Sequence, residues 1–127
     1  MKIKLTRVMV DDQDKALKFY TEVLGFVKKT ETPVGEFKWL TVVSPEGQED
    51  IELALEPMGY PAAKAFQSAT YQAGLPFTVF FVEDVQQEYE RMTKLGVAFR
   101  VKPTDMGWGV QAVFDDTCGN LIQLQQL

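Results

Sequence analysis

VDDQDKALKFYTEVLG (residues 10–25) and VEDVQQEYERMTKLG (residues 82–96) are two versions of one phrase. Each opens on valine and two acidic residues, continues as an amphipathic run and closes on Leu-Gly. The acidic residues suit a helix N-cap and the positive end of the helix dipole. The closing glycine suits the left-handed residue that ends a helix. In the first run Ala16, Tyr20, Val23 and Leu24 make one apolar stripe, and in the second Val85, Tyr89, Met92 and Leu95 or Gly96 do the same.

Working outward, both helices carry strand patterns in the same order. Lys2–Val10 precedes the first, and Val27–Glu31, Lys38–Ser44 and Asp50–Glu56 follow it, parted by turn signals at Thr32–Gly35 and Ser44–Gly47. Phe77–Val82 precedes the second, and Phe99–Lys102, Gly109–Phe114 and Asn120–Gln125 follow. Val10-Asp11-Asp12 and Val82-Glu83-Asp84 lie 72 positions apart; Leu24-Gly25 and Leu95-Gly96, like Ile51-Glu52-Leu53 and Ile122-Gln123-Leu124, lie 71 apart. Between the copies, Pro57–Gly74 is Ala-rich and reads as a connector holding a short helix. The expectation is a single α+β domain over residues 1–127: repeat one 1–56, connector 57–74, repeat two 75–127. Each repeat is β-α-β-β-β, with the sheets curved around a concave cavity and the helices outside.

A chain of 127 residues, 46% apolar and 24% charged, has an ordinary globular composition. With 13 Lys+Arg against 18 Asp+Glu the net charge is −5, which disfavours nucleic acid or an anionic membrane as partner. No apolar run approaches the roughly 20 residues of a membrane span, and no apolar segment of a secretory signal follows Met1. One cysteine, Cys118, fits a reducing cytoplasm. The absence of histidine removes Ser-His-Asp and Cys-His nucleophile systems and every His-containing metal site.

The duplicated unit, its acidic caps, FYTEVLGF (residues 19–26) and VSPEG…IELALEP (43–57) together resemble the vicinal oxygen chelate superfamily. VFDDTCGNLIQL (113–124) is similar to that family's F-x-D-P-x-G-N-x-[IL]-E-L ending. The group includes glyoxalase I, bleomycin-resistance proteins, fosfomycin-resistance proteins and extradiol dioxygenases. The resemblance implies four strand positions that in many members hold a divalent metal. Here they are Leu5, Glu52, Phe77 and Gln123. Zinc, nickel or iron needs about three or four N, O or S donors, and only Glu52 is a good one. No metal and no cofactor are expected.

Those positions also set which side of each strand faces the cavity. Ile3, Leu5, Arg7, Met9, Trp39, Thr41, Glu52, Ala54, Phe77, Val79, Phe81, Gln123 and Gln125 should point inward. Val8, Val10, Leu40, Val42, Leu53, Leu55, Phe80, Val82, Ile122 and Leu124 should lie under the helices. Gln111 fits either face. Such a cavity suits a small amphipathic or aromatic molecule, held by Leu5, Arg7, Trp39, Glu52, Phe77, Phe81, Trp108 and Gln123, with Arg100 a further polar group. Glu52 has three readings: an ion pair with Arg7, a group that orients the ligand, or the catalytic general base of a metal-independent isomerase or lyase. Closing exposed sheet faces and edges against a second copy predicts a homodimer.

Overall fold

In the computed structural model, which describes residues 1–127, both acidic pairs cap helices. The Asp12 side chain accepts from the Lys15 N–H at 3.0 Å and starts α1 (Gln13–Lys18); Asp84 accepts from the Gln87 N–H at 3.0 Å and starts α3 (Val85–Lys94). A third helix, α2 (Pro61–Gln72), occupies most of the expected connector and is longer than the short helix read there.

The two helical runs end differently. α3 is regular to Lys94, whereas α1 passes into a wide π-turn over Phe19–Val23, in which the Leu24 N–H reaches back to the Phe19 carbonyl at 3.2 Å. The repeat spacing falls from 72 to 71 across this helix, so the first copy carries one residue more than the second. The wide turn is where that residue is absorbed. It brings Phe19 and Tyr20, adjacent in sequence, both into the core and leaves Val23 and Leu24 half-buried. The expected stripe is corrected accordingly. In α3 the stripe also ends early. Leu95 is 55% exposed, because Gly96 turns the chain at φ 88°, and Val97 is buried instead.

The strands are β1 (Leu5–Val10), β2 (Val27–Val34), β3 (Phe37–Val43), β4 (Glu52–Pro57), β5 (Thr78–Phe81), β6 (Phe99–Asp105), β7 (Val110–Asp115) and β8 (Leu121–Gln126). Two open four-stranded sheets result, ordered β1-β4-β3-β2 and β5-β8-β7-β6. In each, the first strand runs parallel to the last and the remaining neighbours are antiparallel. This is the expected pair of β-α-β-β-β modules. β2 continues through Pro33, which pairs with Lys38, so the turn is the two residues Gly35-Glu36 rather than Thr32–Gly35. Proline is tolerated there because β2 is an edge strand. The chain divides into two compact units, Met1–Ala65 and Phe66–Leu127, the division falling inside α2.

In the first unit α1 packs on β3 and β4 over Val8, Val10, Leu40, Val42 and Leu55; in the second α3 packs on β6, β7 and β8 over Ala112, Phe114, Ile122 and Leu124. Phe80 and Val82, expected under a helix, are only half-buried. The turn before β8 is a buried polar joint. Asp116 accepts from the N–H groups of Cys118 and Asn120 and from Asn120 Nδ2. From α2, Gln67 donates to the Cys118 carbonyl and to Asn120 Oδ1. Cys118 is fully buried in this joint. Thr117 stands where the family ending has proline, and its φ of 63° is one no proline ring permits.

Candidate functional site

Strand alternation leaves one sheet face of the first unit without a helix, and on the second unit a face that α2 touches through Phe66 at Phe77 and Tyr71 at Asp115. On the first unit Leu5, Arg7 and Met9 of β1 stand in register with Glu52, Ala54 and Glu56 of β4, and Thr41 of β3 is opposite Ala54. Glu52 Oε1 accepts from the Thr41 hydroxyl at 2.7 Å, and Oε2 lies 3.9 Å from Lys29 Nζ. The expected Arg7–Glu52 ion pair is not formed. Arg7, in register with Ala54, has a glutamate two residues away on either side along β4, and it turns to Glu56 at 3.7 Å. Arg7 is well exposed and the contact is long, which makes the pair a weak constraint.

The β3–β4 ladder is short. Only Thr41↔Ala54 and Val42↔Leu53 pair, and beyond them the strands part. The gap is bridged by a side chain from α1. Gln13 Nε2 donates to the Lys38 carbonyl at 2.8 Å and to the Leu55 carbonyl at 2.9 Å, while its Oε1 accepts from the Lys38 N–H at 3.0 Å. Beside this splay lies a cleft of about 220 Å³ lined by Val34, Phe37, Trp39, Ala54, Glu56 and Pro57, with Lys38, Leu40 and Leu55 at its walls. Lys38 itself reaches Asp14 and Glu31, which holds its ammonium above the usual lysine range, chiefly through the Asp14 hydrogen bond.

On the second unit Val79 and Phe81 of β5 pair with Gln123 and Gln125 of β8, and Gln111 and Val113 of β7 pair with Gln125 and Gln123. Gln111, open in sequence, therefore shares the face of Gln123, whose Nε2 donates to Gln111 Oε1 at 3.3 Å. Phe77 precedes β5, its N–H bound to the Leu121 carbonyl and its ring edge-on to Phe66 of α2 at 6.1 Å. Arg100 lies 5.2 Å from the centre of the Tyr71 ring and is spent there rather than on the sheet face. The Tyr71 hydroxyl donates to Asp115, and that bond, with some burial, holds its ionisation above the usual tyrosine range. Trp108 sits in the Asp105–Gly109 turn, 61% exposed, where Asp105 Oδ1 accepts from the Gly107 N–H.

Of the candidate residues, Leu5, Arg7, Trp39 and Glu52 thus share the open face of the first unit, and Phe81 and Gln123 that of the second. Phe77 is packed against α2, and Trp108 belongs to a turn. Sequence reading missed Gln13, Thr41 as partner of Glu52, Glu56 and the role of Gln111. Thr41 carried a signal in its expected inward face, and Glu56 in its phase with Glu52 and Ala54; Gln13 carried none.

Two modules of this topology, each with a sheet face left open opposite α1 or α3, define the glyoxalase-like class. Residues 2–124 match the profile of the Glyoxalase/Bleomycin resistance protein/Dioxygenase superfamily, and the chain belongs to it. Among its relatives, the uncharacterized protein YurT of Bacillus subtilis (strain 168) is 55% identical over 126 residues, 99% of each chain. Among solved structures, UcmS2 is 32% identical with a TM-score of 0.85, covering 100% of this chain and 98% of its own. TnmS3, an antibiotic binding protein from Streptomyces sp. CB03234, is 30% identical with a TM-score of 0.78, over 99% and 95%. No helix is long and apolar enough to cross a membrane.

Proposed function

We propose that this protein binds a small amphipathic or aromatic molecule on these sheet faces, without a resident metal, and does so as a homodimer. The observation that carries this reading is the exposure of large apolar side chains on the face of each sheet opposite α1 or α3. Helix-side residues such as Val8, Leu40 and Ile122 are at most 1% exposed, while Leu5, Trp39, Val79 and Phe81 on the other side are 38–63% exposed. Exposed apolar and aromatic side chains gathered on one face mark a binding surface. The similarity to an antibiotic binding protein points the same way. A second copy of the chain would cover what the ligand does not.

The metal positions implied by the superfamily do not suit an ion. Leu5 and Phe77 offer no donor atom, Gln123 is a neutral amide, and Glu52 already accepts from Thr41. Divalent transition metals require a fuller donor set. Glu52 then serves to orient a donor group of the ligand.

Mass spectrometry of small molecules released from native protein tests the reading. A recurrent apolar or aromatic compound is expected, and Trp39→Ala and Phe81→Ala should each lower its recovery. Release of none, or one tightly held zinc, nickel or iron per chain, would overturn it, as would a monomer mass by light scattering for the dimer. A reaction on the released compound that Glu52→Gln abolishes at unchanged affinity would make the protein an isomerase or lyase with Glu52 as base, since losing a general base typically costs about 10²–10⁴-fold in rate.

A further inference from the structure

Three glutamines on the second unit's sheet face form a chain whose direction is fixed by the backbone. Gln125, only 3% exposed, donates through Nε2 to the main-chain carbonyls of Val110 at 3.2 Å and Gln126 at 2.9 Å. A carbonyl can only accept, so the amide of Gln125 cannot be reversed, and its Oε1 must be the atom turned to Gln123. Gln123 therefore presents its Nε2 there, at 3.1 Å, and the same NH₂ group donates to Gln111 Oε1 at 3.3 Å. Each orientation follows from the one before it. What remains at the outer end is one acceptor, Gln123 Oε1, and one donor group, Gln111 Nε2, on either side of the 3.3 Å bond. Neither has a partner within the chain, and neither is sealed from solvent.

The surroundings select for a neutral ligand. Val79, Phe81 and Val113 lie on the same face as the glutamines in β5, β7 and β8. On these three strands the one charged side chain in phase with them, Asp115, stands at the other end of β7, with both oxygens engaged by the Tyr71 hydroxyl and the Thr117 N–H, and Arg100 of β6 is held against the Tyr71 ring. A carboxylate or ammonium ligand would lose its hydration here and find no counter-charge, whereas a neutral donor–acceptor pair finds both complements.

We propose that Gln111 and Gln123 form a polar subsite for a neutral lactam or cis-amide, whose N–H donates to Gln123 Oε1 and whose carbonyl accepts from Gln111 Nε2. Gln125 is the positioning residue that keeps the acceptor and the donor the right way round. The inference rests on the reading of this face as a ligand-binding surface and adds the class of polar group that it recognises.

Calorimetric titration with three flat probes tests it: naphthalene, 2-quinolone and 1-methyl-2-quinolone. Naphthalene reports apolar binding alone. The N-methyl group removes the donor and faces Gln123 Oε1 with hydrocarbon, so 2-quinolone should bind at least about tenfold more tightly than its methylated form. In Gln125→Leu the glutamine chain is free to reverse. That preference, read as the ratio of the two quinolone affinities within the variant, should fall to near parity, an outcome that a merely structural role would not produce. Gln111→Leu, at a half-buried position, should weaken both quinolones about tenfold relative to naphthalene, and it serves where Gln125→Leu does not fold. Equal affinity of the wild-type protein for the two quinolones, with naphthalene bound, overturns the subsite and leaves the binding face standing. No binding of any probe overturns both. A preference that survives in folded Gln125→Leu removes Gln125 from the role given to it.

Discussion

Replacing Gln13 by alanine should be among the costlier single changes in the first unit, although the residue is polar, lies at the start of a helix and has no obvious mark in the sequence. Its carboxamide makes three hydrogen bonds, to the Lys38 carbonyl, the Lys38 N–H and the Leu55 carbonyl. The Leu55 bond is buried, so alanine leaves a carbonyl that water does not readily reach, at a cost of about 1–3 kcal/mol. The two bonds to Lys38 are part-buried, and water replaces them at about 0.5–1 kcal/mol each. Against this, alanine gains a few tenths of a kcal/mol as the better helix former. The expected loss is about 2–4 kcal/mol by urea unfolding, and for a chain of this size the Tm falls by about 6–15 °C. Gln13→Glu should be worse than alanine, because it keeps the acceptor for the Lys38 N–H but turns a carboxylate oxygen on two carbonyl oxygens. Amide hydrogen exchange at Lys38 should quicken in Gln13→Ala, which loses the acceptor of the Lys38 N–H. A Gln13→Ala protein within about 0.5 kcal/mol of wild type, with Lys38 exchange unchanged, would refute the claim that this side chain closes the gap between β3 and β4.

Thr41→Val keeps the volume but removes the hydroxyl from Glu52, and it should cost about 1–2 kcal/mol in urea unfolding; a change under about 0.3 kcal/mol would show that the bond contributes nothing. Gly119 has φ 101°, and a Cβ there would come within 2.5 Å of Gln67 Oε1, so Gly119→Ala should cost at least about 2 kcal/mol and free α2 from the Cys118–Asn120 turn. A melting curve indistinguishable from wild type would contradict that. The Asp115 bond favours the protonated Tyr71, so its contribution is complete below the ordinary tyrosine value of about 10 and is lost as pH rises through the higher folded-state value. Stability measured from about pH 9 upward should fall less steeply in Tyr71→Phe than in wild type, and equal slopes would count against the link.

What the sequence made legible was whatever depends on neighbours along the chain. Asp12 and Asp84 announce their helices because a cap acts within three residues. The period-two alternation of β1 and β4 put Val8, Val10, Leu53 and Leu55 on one face and Glu52 and Ala54 on the other. What depends on how strands meet was not legible. Arg7 faces two glutamates at equal distance along β4, and spacing cannot choose between them. The face of Gln111 depends on register across a hairpin, where a one-residue slip reverses every side chain. The splay between β3 and β4 leaves no compositional trace, since Lys38, Trp39 and Leu40 read as ordinary strand, and so nothing pointed to Gln13. Leu95 was misplaced because periodicity was carried one residue past the point where the chain leaves the helix.

The wide turn at Phe19–Val23 has a bearing on descent. A residue gained within a regular helix rotates everything beyond it by about 100°, and the strands that follow would have to be re-seated. Taken up as a π-turn, it is contained. Gly25 still ends the helix, and Ile51-Glu52-Leu53 keeps the same spacing to Ile122-Gln123-Leu124 that Leu24-Gly25 keeps to Leu95-Gly96. The difference in length between the two helices therefore arose after the halves had become separate copies, and it was tolerated because it stayed local. Kin whose first helix is one residue shorter should have a plain α-helix at this place and only one of the two adjacent aromatics in the core.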